Sequence, residues 1–64
     1  MKTALFIYNP NSGQRTINDN LPWIIDHLSE KEYLTCIYAT QAPKDASKII
    51  MEYGERFEEI IVAG

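Results

Sequence analysis

Hydrophobic positions fall along this chain in two alternating patterns: short continuous runs and stripes at helical spacing. Ala4-Leu5-Phe6-Ile7-Tyr8 is a continuous apolar run, closed downstream by the turn residues Asn9-Pro10. Such a run predicts a strand, Thr3 to Tyr8, buried on both faces of a parallel sheet. Ile17, Leu21, Ile24, Ile25 and Leu28 follow at offsets of +4, +7, +8 and +11, one apolar stripe at helical period. The stripe predicts a helix from about Asn18 to Ser29. With Asn18 as its N-cap, Pro22 becomes the fourth helical residue, whose missing N–H had no intrahelical partner to lose.

The alternation continues. Ser29-Glu30-Lys31-Glu32 is a polar connection, and Tyr33 to Ala39 is rich in β-branched and aromatic residues, a second strand. After the short loop Thr40-Gln41-Ala42, Pro43 suits a first helical position and Asp45 the first turn, where a negative charge favours the helix dipole. Ala46, Ile49, Ile50 and Tyr53 repeat at +3, +4 and +7, and Gly54 is a natural stop. Ile60 to Ala63 is the third apolar run. Strand-helix-strand-helix-strand predicts an α/β fold: a three-layer parallel βαβαβ unit with strand order 2-1-3 and one helix on each face. In that order the winding reverses between the first and third strands. Open α/β sheets bind ligands at the carboxyl ends of the strands at such a switch point.

Composition narrows the classes. The 64 residues are 45% hydrophobic and 23% charged, which is globular rather than disordered. A domain this small buries only about 60% of its unfolded surface, so its core is marginal. The net charge of −3 argues against nonspecific nucleic-acid binding, which needs clustered Lys and Arg. The single Cys36 excludes an intrachain disulfide and a zinc site built on cysteines. No apolar run nears the roughly 20 residues of a membrane span. The run after Met1-Lys2-Thr3 is short and has no small-residue cleavage site, so it reads as a strand rather than a signal peptide, and the cytoplasm is the default location.

The candidate chemistry lies at Asn9-Pro10-Asn11-Ser12-Gly13, where the first strand ends. Neither G-x-G-x-x-G nor G-x-x-x-x-G-K-[ST] is present. The amides and hydroxyl of this loop can donate to phosphate oxygens, and Gly13 lets backbone N–H groups approach them. The same residues also make ordinary turns. Thr40, at the end of the second strand, reads by residue type as a loop or capping residue before a helix.

Asn9 to Gly13 resembles the opening motif of the diacylglycerol kinase catalytic domain, the family of bacterial diacylglycerol kinase-like lipid kinases and sphingosine kinases. Ala39-Thr40-Gln41-Ala42-Pro43-Lys44-Asp45-Ala46 looks like the family's segment after strand two, and Ile60-Ile61-Val62-Ala63-Gly64 like the strand leading into its Gly-Gly-Asp-Gly-Thr loop. The resemblance covers the whole chain but only the start of that catalytic domain. It implies a parent protein that phosphorylates a lipid hydroxyl with ATP and Mg²⁺, peripheral to a membrane when it acts. Residues 1–64 would then be the incomplete N-terminal part of the nucleotide-binding domain. Asn9, Pro10, Asn11, Ser12 and Gly13 would flank the nucleotide phosphates, Thr40 would contact the nucleotide, and Gly64 would begin the main phosphate loop. The rest of that loop, the acidic residues for metal and base, and the lipid-cleft domain are not in the chain. It therefore holds no catalytic residue or metal ligand, and alone it should be inactive.

Two other functions fit the same residues. One is a kinase of related fold acting on a soluble substrate such as NAD. The other is a non-catalytic association module, because in the 2-1-3 order Ile60-Ile61-Val62 forms an apolar sheet edge that would recruit another strand. Elsewhere bland roles prevail. His27 and Trp23 lie at about 240° and 200° from Leu21, off the apolar stripe, as a solvated histidine and a part-exposed tryptophan suited to a partner contact. Cys36 reads as a small core residue and the tyrosines as packing residues. Asp26, Glu30, Glu58 and Glu59 read as solvated charges.

Overall fold

The computed structural model describes residues 1–11 and 16–63, with the side chains of Thr16 and Asn18 excepted. Five elements alternate as expected: β1 (Lys2–Tyr8), α1 (Thr16–Glu30), β2 (Tyr33–Ala39), α2 (Asp45–Tyr53) and β3 (Glu59–Ala63). The strands form one sheet in the order β2-β1-β3, and both pairings are parallel.

The central strand is the core. Ala4, Leu5, Phe6 and Ile7 are between 0% and 3% exposed, so neighbours on both faces are buried alike. Strand residues alternate between faces, so this burial requires cover on both sides of the sheet. Leu5 lies in register with Cys36 on one side and Ile60 on the other, which puts these three on one face. That face belongs to α2: Ile49 and Tyr53 border a groove with Leu5, Cys36 and Tyr38. Ala4 and Phe6 point to the opposite face, under α1. The predicted stripe of α1 is the one observed. Ile17, Leu21, Ile24, Ile25 and Leu28 are half-buried, while Pro22, Trp23, Asp26 and His27 are exposed.

Three local expectations are corrected and one is refined. First, α1 begins at Thr16, before Asn18, so Pro22 is inside the helix. It lacks the N–H that would bond the Asn18 carbonyl, a loss that costs about 3 kcal/mol in a helix interior. Ile17 and Leu21, in the same stretch, are half-buried. Second, Pro43 precedes α2 instead of opening it. The Asp45 N–H donates to the Ala42 carbonyl at 3.2 Å, and Lys44 between them has φ 67° and ψ 5°. Those angles belong to the third position of a type II turn, whose second position favours proline. Third, α2 ends at Gly54 as expected, yet without a left-handed turn. The φ of Gly54 is −56°, and the chain tightens into a 3-10 turn over Gly54–Arg56. Its lack of a side chain serves packing, since a Cβ there would stand 3.1 Å from Ile60 Cδ1. Fourth, Cys36 is exposed, not core. Leu34 and Cys36, on the outer strand β2, are both exposed.

At the amino end of the sheet, two glutamates expected to be merely solvated have partners. The Glu58 carboxylate accepts from the Thr3 N–H at 3.3 Å, while the Glu58 N–H donates to Thr3 Oγ1 at 3.1 Å. Glu59 hydrogen-bonds the Tyr33 hydroxyl and pushes that phenol's pKa up. Both contacts fasten edge strands to the sheet at the end away from the candidate loops.

Candidate functional site at the carboxyl end of the sheet

Parallel pairing brings the ends of all three strands to one edge. Tyr8 lies in register with Ala39 and with Ala63. The ladder then runs one step further, because the Thr40 N–H donates to the Tyr8 carbonyl at 2.9 Å. That bond fixes Thr40 beside the start of the Asn9 loop. The two sequence segments singled out for nucleotide contact, 31 positions apart (40 − 9), thus become neighbours.

Asn9 organises its own loop. Its side-chain Oδ1 accepts the Asn11 N–H at 2.9 Å, which folds Asn9-Pro10-Asn11 into an Asx turn. Its amide oxygen is therefore used internally, and the donor left to face a ligand is its NH₂ group. Asn9 and Asn11 are exposed and Pro10 half-buried. Ser12, Gly13 and Gly64 lie outside the described residues.

Two adjoining clefts open here. One, of about 180 Å³, is bordered by Ile7, Asn9, Thr40, Lys44, Asp45 and Ala63. The other, of about 360 Å³, is bordered by Asn9, Asn11, Thr40, Gln41, Ala42 and Pro43. Of the residues predicted for the site, Asn9, Asn11 and Thr40 come together at these clefts. Gln41, Lys44 and Asp45 join them without having been singled out. Their placement depends on the turn at Pro43-Lys44, and the only local sign of it was a proline one residue before Lys44.

Asp45 holds the far wall. One carboxylate oxygen accepts both the Gln41 N–H and the Tyr38 hydroxyl, each at 2.8 Å. The Gln41 side chain in turn donates to the Ala39 carbonyl at 3.0 Å. The Gln41 N–H, with the Tyr38 hydroxyl and the nearby Lys48 charge, holds the Asp45 carboxyl below its ordinary value. The same hydrogen bond raises the pKa of the Tyr38 phenol. The loop between β2 and α2 is thus tied at both ends by hydrogen bonds to a charged group, the stronger kind.

Among the described residues, no group of three His, Cys, Asp or Glu side chains could hold a metal ion. The rim instead offers an amide, a hydroxyl and an ammonium, groups suited to an anion. Among the described residues, no helix is long and apolar enough to cross a membrane.

Comparison with known proteins agrees with the motif. The family model of the diacylglycerol kinase catalytic domain matches residues 3–64. The chain belongs to that family. A diacylglycerol kinase from Staphylococcus carnosus (strain TM300) is 38% identical over 66 aligned positions, which cover 98% of this chain and 21% of that relative. The chain therefore spans about a fifth of the length of this diacylglycerol kinase relative. Asn9 and Thr40 stand in two loops of this chain that the parallel sheet brings side by side.

Proposed function

We propose that the full-length protein is an ATP-dependent lipid kinase, transferring a phosphoryl group to the hydroxyl of diacylglycerol or a related lipid. Residues 1–64 form the first part of its nucleotide-binding catalytic domain. The observation that carries this reading is the family match over residues 3–64, together with the adjacency of the Asn9 and Thr40 loops at the carboxyl end of the sheet. The nucleotide contacts in this reading are Asn9, Pro10, Asn11, Ser12, Gly13, Thr40 and Gly64. Asn9 NH₂ and Thr40 Oγ1 act as donors to the nucleotide. Phosphoryl transfer proceeds by positioning and charge stabilisation, and magnesium supplies part of that charge when bound. Its ligands and the catalytic base come from the rest of the protein, and the 64 residues alone are inactive. The protein works in the cytoplasm and meets its lipid at the membrane surface.

Assay of the purified full-length protein with ATP, against diacylglycerol and sphingosine in mixed micelles and NAD in solution, tests this. Diacylglycerol phosphorylation, with Asn9→Ala and Thr40→Ala raising the KM for ATP, is expected. Absence of transfer to any lipid would overturn the reading, and transfer to NAD alone would replace it with the soluble-substrate one.

A further observation favours self-association of the 64-residue chain. β3 ends the sheet with Ile60 and Val62 exposed at 39% and 59%, and unpaired apolar edges recruit strands.

A further inference from the structure

We propose that Lys44 is a further nucleotide-binding residue, its ammonium facing the phosphates from the α2 side of the cleft that Asn9 and Thr40 border. The inference rests on the kinase reading above and adds a cation to a site otherwise built from neutral donors. Asn9, Thr40, Lys44, Asp45 and Ala63 all border the same cleft. Asp45 brings a carboxylate to that wall, ionised at neutral pH and bonded to the Gln41 N–H and the Tyr38 hydroxyl. A phosphate entering the cleft therefore meets a negative group. Among the described residues that border the two clefts, Lys44 carries the sole positive charge to offset it. Its ammonium is not committed to its neighbour, because the cation that acts on Asp45 is Lys48, one helical turn on. The backbone also fixes where Lys44 stands. At φ 67° it occupies the left-handed region that glycine takes without cost, yet the residue there is a lysine. Glu32 shares this conformation at φ 66° away from the cleft, so the assignment rests on Lys44's place in the cleft and its charge, not on the backbone.

The test is calorimetric titration of the full-length protein with ADP and with adenosine, which lacks the phosphates. Wild type is compared with Lys44→Gly, Lys44→Arg and Thr40→Ala. Lys44→Gly suits the observed backbone, so it should melt no lower than wild type, and lost binding could not be blamed on unfolding. Its Kd for ADP should rise roughly five- to twentyfold with adenosine unchanged, the scale of one charged phosphate contact. Lys44→Arg should keep most of the affinity. ADP binding by Lys44→Gly equal to wild type would overturn the role of Lys44 while leaving the kinase reading intact, provided Thr40→Ala still weakens ADP. An equal loss of ADP and adenosine would also overturn it, by reducing Lys44 to a structural residue. A wild type that binds no ADP would remove both the kinase reading and this residue's role.

Discussion

Tyr38 and Asp45 are joined by a 2.8 Å hydrogen bond from phenol to carboxylate, which ties the end of β2 to the first residue of α2. The loop that carries Thr40 lies between these two anchors. Stability of the fold and shape of the cleft are therefore coupled through one carboxylate oxygen.

The pH response of that coupling has a definite sign. Asp45 is held below its ordinary value of 3.8, chiefly by the Gln41 N–H and then by the Tyr38 hydroxyl. Its contribution is fully present above about 3.8, and it is lost as pH falls through the lower folded-state value. Tyr38 titrates above its ordinary 10.0, so its contribution holds below that value and fades as pH rises through the folded one. Asp45→Asn should destabilise the chain at neutral pH, and its gap from wild type should narrow in acid. Urea unfolding of both proteins at neutral and strongly acidic pH measures this. A gap of constant size would show that the carboxylate is not held as described.

Gly54 sets two effects against each other. Its φ of −56° is helical, so alanine would gain up to about 1 kcal/mol of propensity. A Cβ would stand 3.1 Å from Ile60 Cδ1 and 3.4 Å from Ile50 Cγ2. Ile60 is 39% exposed and its terminal methyl can swing away, so Gly54→Ala should change stability by less than about 1 kcal/mol. Gly54→Val adds two methyls against both isoleucines and should cost about 1–3 kcal/mol. Thermal melts of the pair give the comparison.

Thr35 points a hydroxyl into the protein with no hydrogen-bond partner among the described residues. An unpaired buried hydroxyl forfeits its hydration with no return. Thr35→Val keeps the shape and removes the polar atom, so it should stabilise by about 1 kcal/mol. Unchanged or lowered stability in denaturant titration would mean that Oγ1 has a partner after all.

Val62 is 59% exposed on the outer strand β3. Edge strands are commonly protected from pairing by lysine. Val62→Lys should lower self-association of the 64-residue chain without unfolding it, because the side chain already faces water. Light scattering across a concentration series should show larger particles for wild type than for the variant; a wild-type chain that stays monomeric throughout would count against edge pairing.

Trp23 and His27 show how far helical period alone can reach. Both were expected off the apolar stripe of α1, and the rings indeed stack, with centroids 5.4 Å apart and planes 7° from parallel. An i, i+4 pair is a local relationship, set by the helix and little else. The stripe itself, the burial of β1 on both faces, the three strands and their 2-1-3 order were legible for the same reason. Periodicity reports which face is covered, and short crossovers leave few ways to connect parallel strands. The Asn9 and Thr40 loops were legible through their residues and the family resemblance those residues carry.

What tertiary structure decided was wherever two non-local choices competed. α1 starts at Thr16, before Asn18, and carries Pro22 inside, against local propensity. Close approach of Ile60 gave Gly54 a steric role beside its place at the end of α2. The edge position of β2 in the sheet accompanies the exposure of Cys36, an apolar position that local pattern alone assigns to the core. At the site, the turn that holds Lys44 left-handed and the double hydrogen bond into Asp45 depend on where β2 ends relative to α2. Residue types and spacing determined which segments form elements and which loops meet. Distances between elements decided which side chains line the cleft, since no local pattern encodes the separation of groups that touch only after the sheet has formed.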